Sequence, residues 1–128
     1  AINNALAAVS IVAFSEGITT LARFGVPAAT ALDIVNSSSG RSFFSEVLAP
    51  QILSGSRHPS FRLALMAKDL GIAAALMESV DVNGEIIPGV AAMLSAIRSE
   101  VGDDADYLRV LERMEQKAGV KFARAAQE

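Results

Sequence analysis

Apolar residues recur along this chain at the three- and four-residue spacing of an α-helix, and short turn-forming segments separate the runs. The first run extends from about residue 3 to residue 24. It has one apolar stripe and a second apolar face beside it: Ile2, Leu6, Val9 and Ala13, then Ala5, Ala8 and Val12. A helix that is apolar nearly all round is typical of a central position, so we expect a long, buried first helix. Gly25 and Pro27 are its expected stop, because proline cannot continue a helix.

The same pattern predicts about five further helices joined by short loops. The first two are a short helix over residues 28–35 and one capped by Ser42 and bent or ended at Pro50. The next carries Met66, Leu70, Ala73 or Ala74 and Met77. The last two are one with Pro88 in its first turn that runs to about Val101, and one from Tyr107 to Lys117. Turn-forming residues lie at 36–40 and 54–60, and the apolar stripe that contains Met77 ends at DVNGEIIPG, residues 81–89. We therefore assign the chain to the all-α class, since few segments alternate apolar and polar residues as a strand does.

Length and composition agree with that assignment. With 128 residues, 52% of them hydrophobic and 5% aromatic, the chain can build one core, and we expect a single helical domain over residues 1–128. The formal net charge is −3 and the basic residues are scattered, which excludes the basic patch that a nucleic-acid backbone requires. The longest apolar stretch, Ala5 to Phe14, is shorter than the roughly 20 residues of a membrane helix, so we expect no membrane span.

The scarcity of metal-binding residue types narrows the chemistry further. Cysteine is absent and histidine occurs once, which excludes thiolate metal sites and most other metal schemes. The absence of cysteine also fits a reducing compartment, and we expect a cytoplasmic protein.

Two adjacent asparagines, Asn3 and Asn4, stand at the head of the apolar first helix. Asparagine is a good helix cap, so one of them could simply cap this helix. Capping uses only one of the two, however, and an amide on the inner face of a helix requires partners for its donors and its acceptor. The second interpretation makes Asn4 an amide that orients a substrate.

Lys68 and Asp69 interrupt the apolar segment FRLALMAKDLGIAAAL, residues 61–76. Neither has an opposite charge three or four residues away on the same helix, so their partners are elsewhere in space or are ligands. A solvent-facing stripe and an inter-helix salt bridge are the structural alternatives to a site.

Other polar segments give weaker signals. Ser37 to Ser39, Arg41 and a following helix N-terminus could bind an anion, although loops are often rich in serine and glycine. His58 lies in a predicted surface turn with no acid near it in sequence, which favours a solvated residue over a general base. The roles of Arg41 and His58 are left open.

The acidic segment at residues 103–106 could suggest a divalent cation. Asp103, Asp104 and Asp106 lack the glycine and the distal glutamate of a calcium loop, so capping of the next helix explains them better. The sequence contains no glycine-rich dinucleotide-binding motif after a strand, no phosphate-binding loop and no nucleophile elbow. It therefore lacks a complete catalytic apparatus, and we interpret it as part of an enzyme.

The order of motifs along the chain resembles that of the C-terminal domain of the β-hydroxyacid dehydrogenases. The motifs are the paired asparagines, GVP at residues 25–27, SSSGRS at 37–42, the segment from Phe61 to KDL at 68–70, and the late PGV helix at 88–90. The 3-hydroxyisobutyrate dehydrogenases are familiar members, and 6-phosphogluconate dehydrogenase is a more distant relative. The similarity runs from residue 1 to about Val110. It implies an all-helical domain of the 6-phosphogluconate dehydrogenase type, preceded in the parent protein by a dinucleotide-binding domain that is absent from this chain.

The resemblance also implies roles for individual residues. The family's catalytic lysine lies three residues before the paired asparagines, which is immediately before Ala1, and Asn4 corresponds to the amide that orients the substrate beside it. Asn3 is a further candidate for substrate binding. Phe61 is implied to contact both substrate and cofactor, Lys68 the cofactor, and Asp69 to support or order the catalytic site.

The implied reaction is NAD- or NADP-dependent oxidation of a small β-hydroxyacid, with the isolated chain inactive and a homodimer or homotetramer as the assembly. Two segments depart from the family pattern: VDVNGEI, which is longer than usual, and GDDADYL. The alternative is a non-catalytic helical interaction module, because a shared fold does not guarantee a shared function. The sequence does not indicate which β-hydroxyacid is used, or whether NAD or NADP is preferred.

Overall fold

The computed structural model describes residues 1–56 and 61–122. Their secondary structure is helical, with the bounds α1 Ile2–Arg23, α2 Ala28–Asn36, α3 Ala49–Leu53, α4 Leu63–Ser79, α5 Ile86–Val101 and α6 Leu108–Ala118. A π-helix, Phe44–Leu48, leads directly into α3. Within these two ranges the only β-type pairing is one isolated bridge, between Arg62 and Asp106. The all-α prediction is confirmed.

The first helix ends where the sequence predicts. Gly25 has a φ of +89°, and the N–H of Val26 donates a hydrogen bond of 3.0 Å back to the carbonyl oxygen of Leu21. This arrangement requires a residue that tolerates the left-handed region, which glycine does without strain. Pro27 then sets the backbone for α2, and its carbonyl accepts the first helical hydrogen bond, 3.0 Å from the N–H of Ala31.

Burial of α1 differs from the expectation of a helix covered all round. Its buried residues follow one stripe: Ala5, Ala8, Ile11, Val12, Ser15, Ile18 and Thr19. The predicted stripe of larger residues faces outward instead, and Leu6 is 56% exposed. The small side chains of Ala5 and Ala8 occupy the buried face, where they allow close helix packing. The first helix is therefore half covered.

The length of α1 also corrects the estimate of its apolar stretch. At 22 residues the helix is long and apolar enough to cross a membrane by length and composition, because Glu16 and Arg23 are its only charged residues. The core helix of a soluble protein passes the same test, so length and composition do not decide between the two. The continuous buried stripe is typical of a core helix.

The helix around Pro50 is longer than predicted and contains a widened turn. Ser42 begins it as predicted, because its hydroxyl accepts a hydrogen bond of 3.1 Å from the N–H of Ser45. The Ser45 hydroxyl in turn accepts one of 2.7 Å from the N–H of Ser42. Proline lacks an N–H and its ring clashes with the carbonyl four residues before it. The chain adapts by a π-helical turn just before Pro50 rather than by ending the helix.

By its internal contacts the chain forms two compact units, Ala1–Val12 with Pro59–Val110, and Ala13–His58 with Leu111–Glu128. The first unit is built on the pair of α4 and α5. Its largest fully buried side chains come from these two helices: Leu63, Leu70, Leu94 and Ile97. The single domain over residues 1–128 stays a prediction.

The second unit contains α2, the π-helix, α3 and most of α6. The rings of Phe14 and Phe44 meet edge to face there, with centroids 5.3 Å apart. Beyond α6 the chain turns back, and the N–H of Phe122 donates a hydrogen bond of 2.7 Å to the carboxylate of Glu115. Both residues are buried, at 2% and 5% exposure.

Candidate functional site

The carboxamide of Asn4 and the carboxylate of Asp69 lie in direct contact within the first unit. Asn4 Nδ2 donates a hydrogen bond of 2.6 Å to Asp69 Oδ2, and both residues are partly buried. Asn4 belongs to the first turn of α1 and Asp69 to the second turn of α4. The structure therefore joins the two sequence signals that stood 65 residues apart. Asp69 has the distant partner that the sequence pattern required.

The chemistry of the pair fixes the orientation of the amide. An ionised carboxylate only accepts hydrogen bonds, so the group of Asn4 that faces Asp69 is its NH₂. Among the described residues, the carbonyl oxygen of Asn4 and its second N–H have no partner and remain for a ligand. Such an amide can accept a hydrogen bond from a hydroxyl and donate one to a carbonyl or carboxylate oxygen, which is the polarity that a hydroxyacid presents.

Helix capping does not explain the paired asparagines. Helix α1 begins at Ile2, and the carbonyl of Ala1 accepts the hydrogen bond of 2.8 Å from the N–H of Ala5. Asn3 and Asn4 therefore lie inside the first helical turn rather than at its cap position. Asn3 is exposed, while Asn4 is partly buried against Asp69. The two neighbours thus differ in environment.

Lys68 is next to Asp69 but points to a different environment. It is exposed, and it forms no ion pair or hydrogen bond with any residue in the described ranges. An ammonium group without a carboxylate partner is available to a ligand phosphate or carboxylate. Of these two adjacent charged residues, only Asp69 is tied to another element in the described ranges.

An apolar surface flanks the pair on α4. Leu65, Ile72 and Leu76 lie four residues before, three after and seven after Asp69, so they share its helix face. Their exposed fractions are between 46% and 49%. We call these three residues the α4 apolar face. It provides apolar walls beside a polar pair, a combination typical of small-molecule sites.

Phe61 is held by its backbone immediately before α4. Its N–H donates a hydrogen bond of 2.9 Å to Asp106 Oδ2, and its carbonyl accepts one of 2.9 Å from the N–H of Tyr107. The N–H of Leu63 adds a third, 2.9 Å from the carbonyl of Ala105. This short antiparallel pairing was not predicted, because a single isolated bridge leaves no periodic pattern in the sequence.

The prediction that the aspartates of residues 103–106 cap the next helix holds for Asp106 alone, because Asp103 and Asp104 face arginines instead. Asp106 Oδ1 accepts a hydrogen bond of 3.0 Å from the N–H of Leu108, which confirms capping of α6. Arg98 Nε donates one of 2.7 Å to Asp103 Oδ1; this hydrogen bond and the attraction between the charges lower the pKa of Asp103 and raise that of Arg98. Asp104 lies 3.9 Å from Arg62 on the surface. In the described part of the chain no three His, Cys, Asp or Glu residues are grouped to hold a metal ion.

Arg41 is already engaged in the second unit. Its Nε lies 3.4 Å from Glu46 Oε1, and its NH1 group donates a hydrogen bond of 3.0 Å to the carbonyl of Ser38. The Arg41 guanidinium, on which an anion site would depend, is thus already paired with neighbouring residues of the chain. A cavity of about 640 Å³ in the same unit is lined by α2, the end of α3 and the segment Lys121–Phe122, and contains none of the predicted site residues. His58 lies outside the described residues.

Comparison with known proteins places these residues in a wider context. A family described as NAD-binding of NADP-dependent 3-hydroxyisobutyrate dehydrogenase matches residues 1–114. A curated relative from Arabidopsis thaliana, named probable 3-hydroxyisobutyrate dehydrogenase, mitochondrial, is 31% identical over 112 residues, which is 82% of this chain and 32% of the relative. The chain therefore spans about a third of the length of the curated relative that it matches.

Two solved structures share the fold. A 3-hydroxyisobutyrate dehydrogenase from Salmonella typhimurium superposes with a TM-score of 0.77 at 23% identity, over 88% of this chain and 39% of that protein. The Mycobacterium tuberculosis 3-hydroxyisobutyrate dehydrogenase, solved with L-serine, gives a TM-score of 0.74 at 19% identity, over 88% and 41%.

Proposed function

Since this chain belongs to the family of NAD-binding domains of NADP-dependent 3-hydroxyisobutyrate dehydrogenase, we propose that it is the C-terminal helical domain of an NAD(P)-dependent β-hydroxyacid dehydrogenase, of the 6-phosphogluconate dehydrogenase type. The observation that carries the proposal is the hydrogen bond of 2.6 Å between Asn4 and Asp69. The domain contributes substrate-binding residues, the pocket beside the nicotinamide and subunit packing. By itself it is inactive.

The lengths of the related proteins indicate that a second domain shares the binding of cofactor and substrate. The curated relative and the two solved dehydrogenases are each more than twice as long as this chain. In the proposal, an N-terminal dinucleotide-binding domain of the same protein supplies most of the cofactor contacts. It covers the α4 apolar face, because an exposed apolar surface of this kind is a usual place for another domain or subunit to pack. A homodimer or homotetramer and a cytoplasmic location remain part of the proposal.

The catalytic arrangement uses the geometry of a single helix. In the proposal a lysine directly precedes Ala1, four residues before Asn4, so that the two side chains share one helix face. The lysine takes the proton of the substrate hydroxyl as a general base. Asn4 donates its second N–H to the oxygen of that hydroxyl, which leaves the hydroxyl proton to the lysine, while Asp69 fixes the amide from the other side. Fixing the reacting groups in one geometry lowers the entropic part of the barrier.

The residues near this pair fit a dinucleotide. Lys68 is exposed and has no ion pair among the described residues, which suits a phosphate or ribose oxygen. Phe61 lies at the entry of α4 with its backbone held on both sides. When bound, the nicotinamide accepts the hydride from the substrate carbon. Lys68 and Phe61 hold the cofactor end of the pocket, and Asn3 is a further substrate contact.

The first experiment is an assay of the full-length protein that contains this chain. Oxidation of a panel of β-hydroxyacids, including 3-hydroxyisobutyrate, is followed with NAD and with NADP. We expect turnover with at least one acid, and a loss of about 100-fold in kcat/KM for Asn4→Ala, because the substrate hydroxyl loses its orienting partner. Gln116→Ala is the matched control, since it removes an exposed carboxamide from α6.

Two results would contradict the proposal. One is the absence of turnover with the whole panel together with a residue other than lysine before Ala1. The other is an Asn4→Ala variant as active as Gln116→Ala. The first result would favour a helical interaction module, for which the α4 apolar face is the natural contact surface.

A further inference from the structure

The carboxylate of Asp106 binds two backbone N–H groups that are far apart in sequence. Oδ1 accepts a hydrogen bond of 3.0 Å from Leu108, and Oδ2 accepts one of 2.9 Å from Phe61. The first bond caps α6, for which a single side-chain oxygen is sufficient. The second bond crosses 45 residues and reaches the segment that leads into α4. Helix capping therefore explains the hydrogen bond at Oδ1 but not the one at Oδ2.

The position of Phe61 depends on that second bond. Phe61 precedes Arg62, which pairs with Asp106 in an isolated bridge rather than in a sheet. An isolated bridge has no neighbouring strands to hold it, so each of its few hydrogen bonds carries a large share of the local order. The bonds here are Phe61 N–H to Asp106, Tyr107 N–H to Phe61 and Leu63 N–H to Ala105. Only the first of them involves a side chain.

We propose that Asp106 is a positioning residue, which holds Phe61 in place at the substrate and cofactor pocket through the bond to its N–H. This inference rests on the proposed function, because it takes Phe61 to contact the ligands. Asp106 itself touches neither ligand. It acts through the backbone of Phe61, and it couples the start of α4 to the start of α6.

The variant Asp106→Asn distinguishes the hydrogen bond to Leu108 from the hydrogen bond to Phe61. An amide has one acceptor oxygen, and asparagine is as good a helix cap as aspartate. We expect the oxygen to keep the bond to Leu108 and the NH₂ group to face the N–H of Phe61, which ends that bond. Asp106→Ser is a second variant, because its hydroxyl can cap α6 but is too short to reach Phe61. Asp104→Asn is the matched control: it neutralises a neighbouring carboxylate that is 99% exposed.

The measurement is made on the full-length protein with the β-hydroxyacid that it oxidises and whichever of NAD and NADP supports the faster turnover. For Asp106→Asn we expect KM for both ligands to rise about fivefold to tenfold with little change in kcat, the pattern of lost binding rather than lost chemistry. A second readout does not depend on turnover. The amide hydrogen of Phe61 should exchange with solvent at least about tenfold faster in the variant, because its acceptor has been removed.

The possible outcomes separate this proposal from the proposed function. Unchanged KM values and unchanged exchange at Phe61 in a folded Asp106→Asn variant would overturn the positioning role alone. Unfolding of both Asp106 variants would show a purely structural role and would overturn it as well. If the wild-type protein oxidises no β-hydroxyacid, the proposed function fails and the positioning role fails with it.

Discussion

Asn4 donates a hydrogen bond of 2.6 Å to Asp69, and this contact joins the first turn of α1 to α4 across 65 residues of sequence. It is a charge-assisted bond between two partly buried groups, a class that is shorter and stronger than a bond between neutral groups. The same hydrogen bond therefore stabilises the first unit and holds the Asn4 amide in one orientation.

A double-mutant cycle measures this link. We expect Asn4→Ala and Asp69→Ala each to lower the free energy of unfolding by about 1–2 kcal/mol, because each leaves a partly buried partner without its hydrogen bond. The double variant should lose less than the sum of the two. The coupling is obtained from urea unfolding of the four proteins. Strict additivity would show that the contact contributes nothing to stability.

Leu70 tests the core of the first unit. Its side chain is fully buried on α4, one residue after Asp69. We expect Leu70→Ala to lower the free energy of unfolding by about 2–5 kcal/mol, since the variant loses apolar burial and leaves a cavity. Leu76→Ala, on the α4 apolar face, is the matched control and should lose much less when this chain is measured without a further domain. Equal losses at the two positions would contradict the burial described for this helix.

The ion pair of Arg98 and Asp103 makes a small contribution to stability that depends on pH. The pKa of Asp103 is lowered in the folded state, chiefly by the hydrogen bond from Arg98. A carboxyl group whose pKa is lowered by folding stabilises the fold at pH values above the pKa of a free aspartate. This contribution disappears as the pH falls through the lowered pKa of the folded state. Arg98 keeps its proton throughout, because its pKa is raised.

The measurement is thermal unfolding of wild type and Asp103→Asn. We expect a small excess in Tm for the wild type at about pH 7, which shrinks below about pH 4 and in high salt. The small size follows from the exposure of both side chains. A difference that grows as the pH falls would have the opposite sign from this prediction.

Local signals in the sequence were sufficient to predict most helix ends. Gly25 and Pro27 stop α1, Ser42 caps the helix after it, and α5 ends at Val101 as expected. These positions are decided by residues within a few places along the chain, where glycine, proline and hydroxyl side chains act directly on the backbone. The widened turn before Pro50 was missed because a π-helix has no distinct apolar spacing over five residues.

Contacts between distant residues could not be read from the sequence. The pattern required a partner for Asp69 but could not identify Asn4, since neither residue restricts the other locally. Asp106 was correctly interpreted as a helix cap, and its second bond to Phe61 was invisible for the same reason. The outward position of Leu6 on α1 also depends on which face other helices cover. The roles assigned to Asn3, Asn4, Phe61, Lys68 and Asp69 stay predictions.

The buried contact between Glu115 and Phe122 determines where this protein can be shortened or fused. A chain cut after Ala118 would lose the Phe122 ring from the second unit and remove one buried N–H donor from the Glu115 carboxylate. A buried acceptor stripped of its donor destabilises a fold, so affinity tags and fusion partners belong after residue 122. Among the described residues, the packing of the second unit thus continues past the last turn of α6 as far as Phe122.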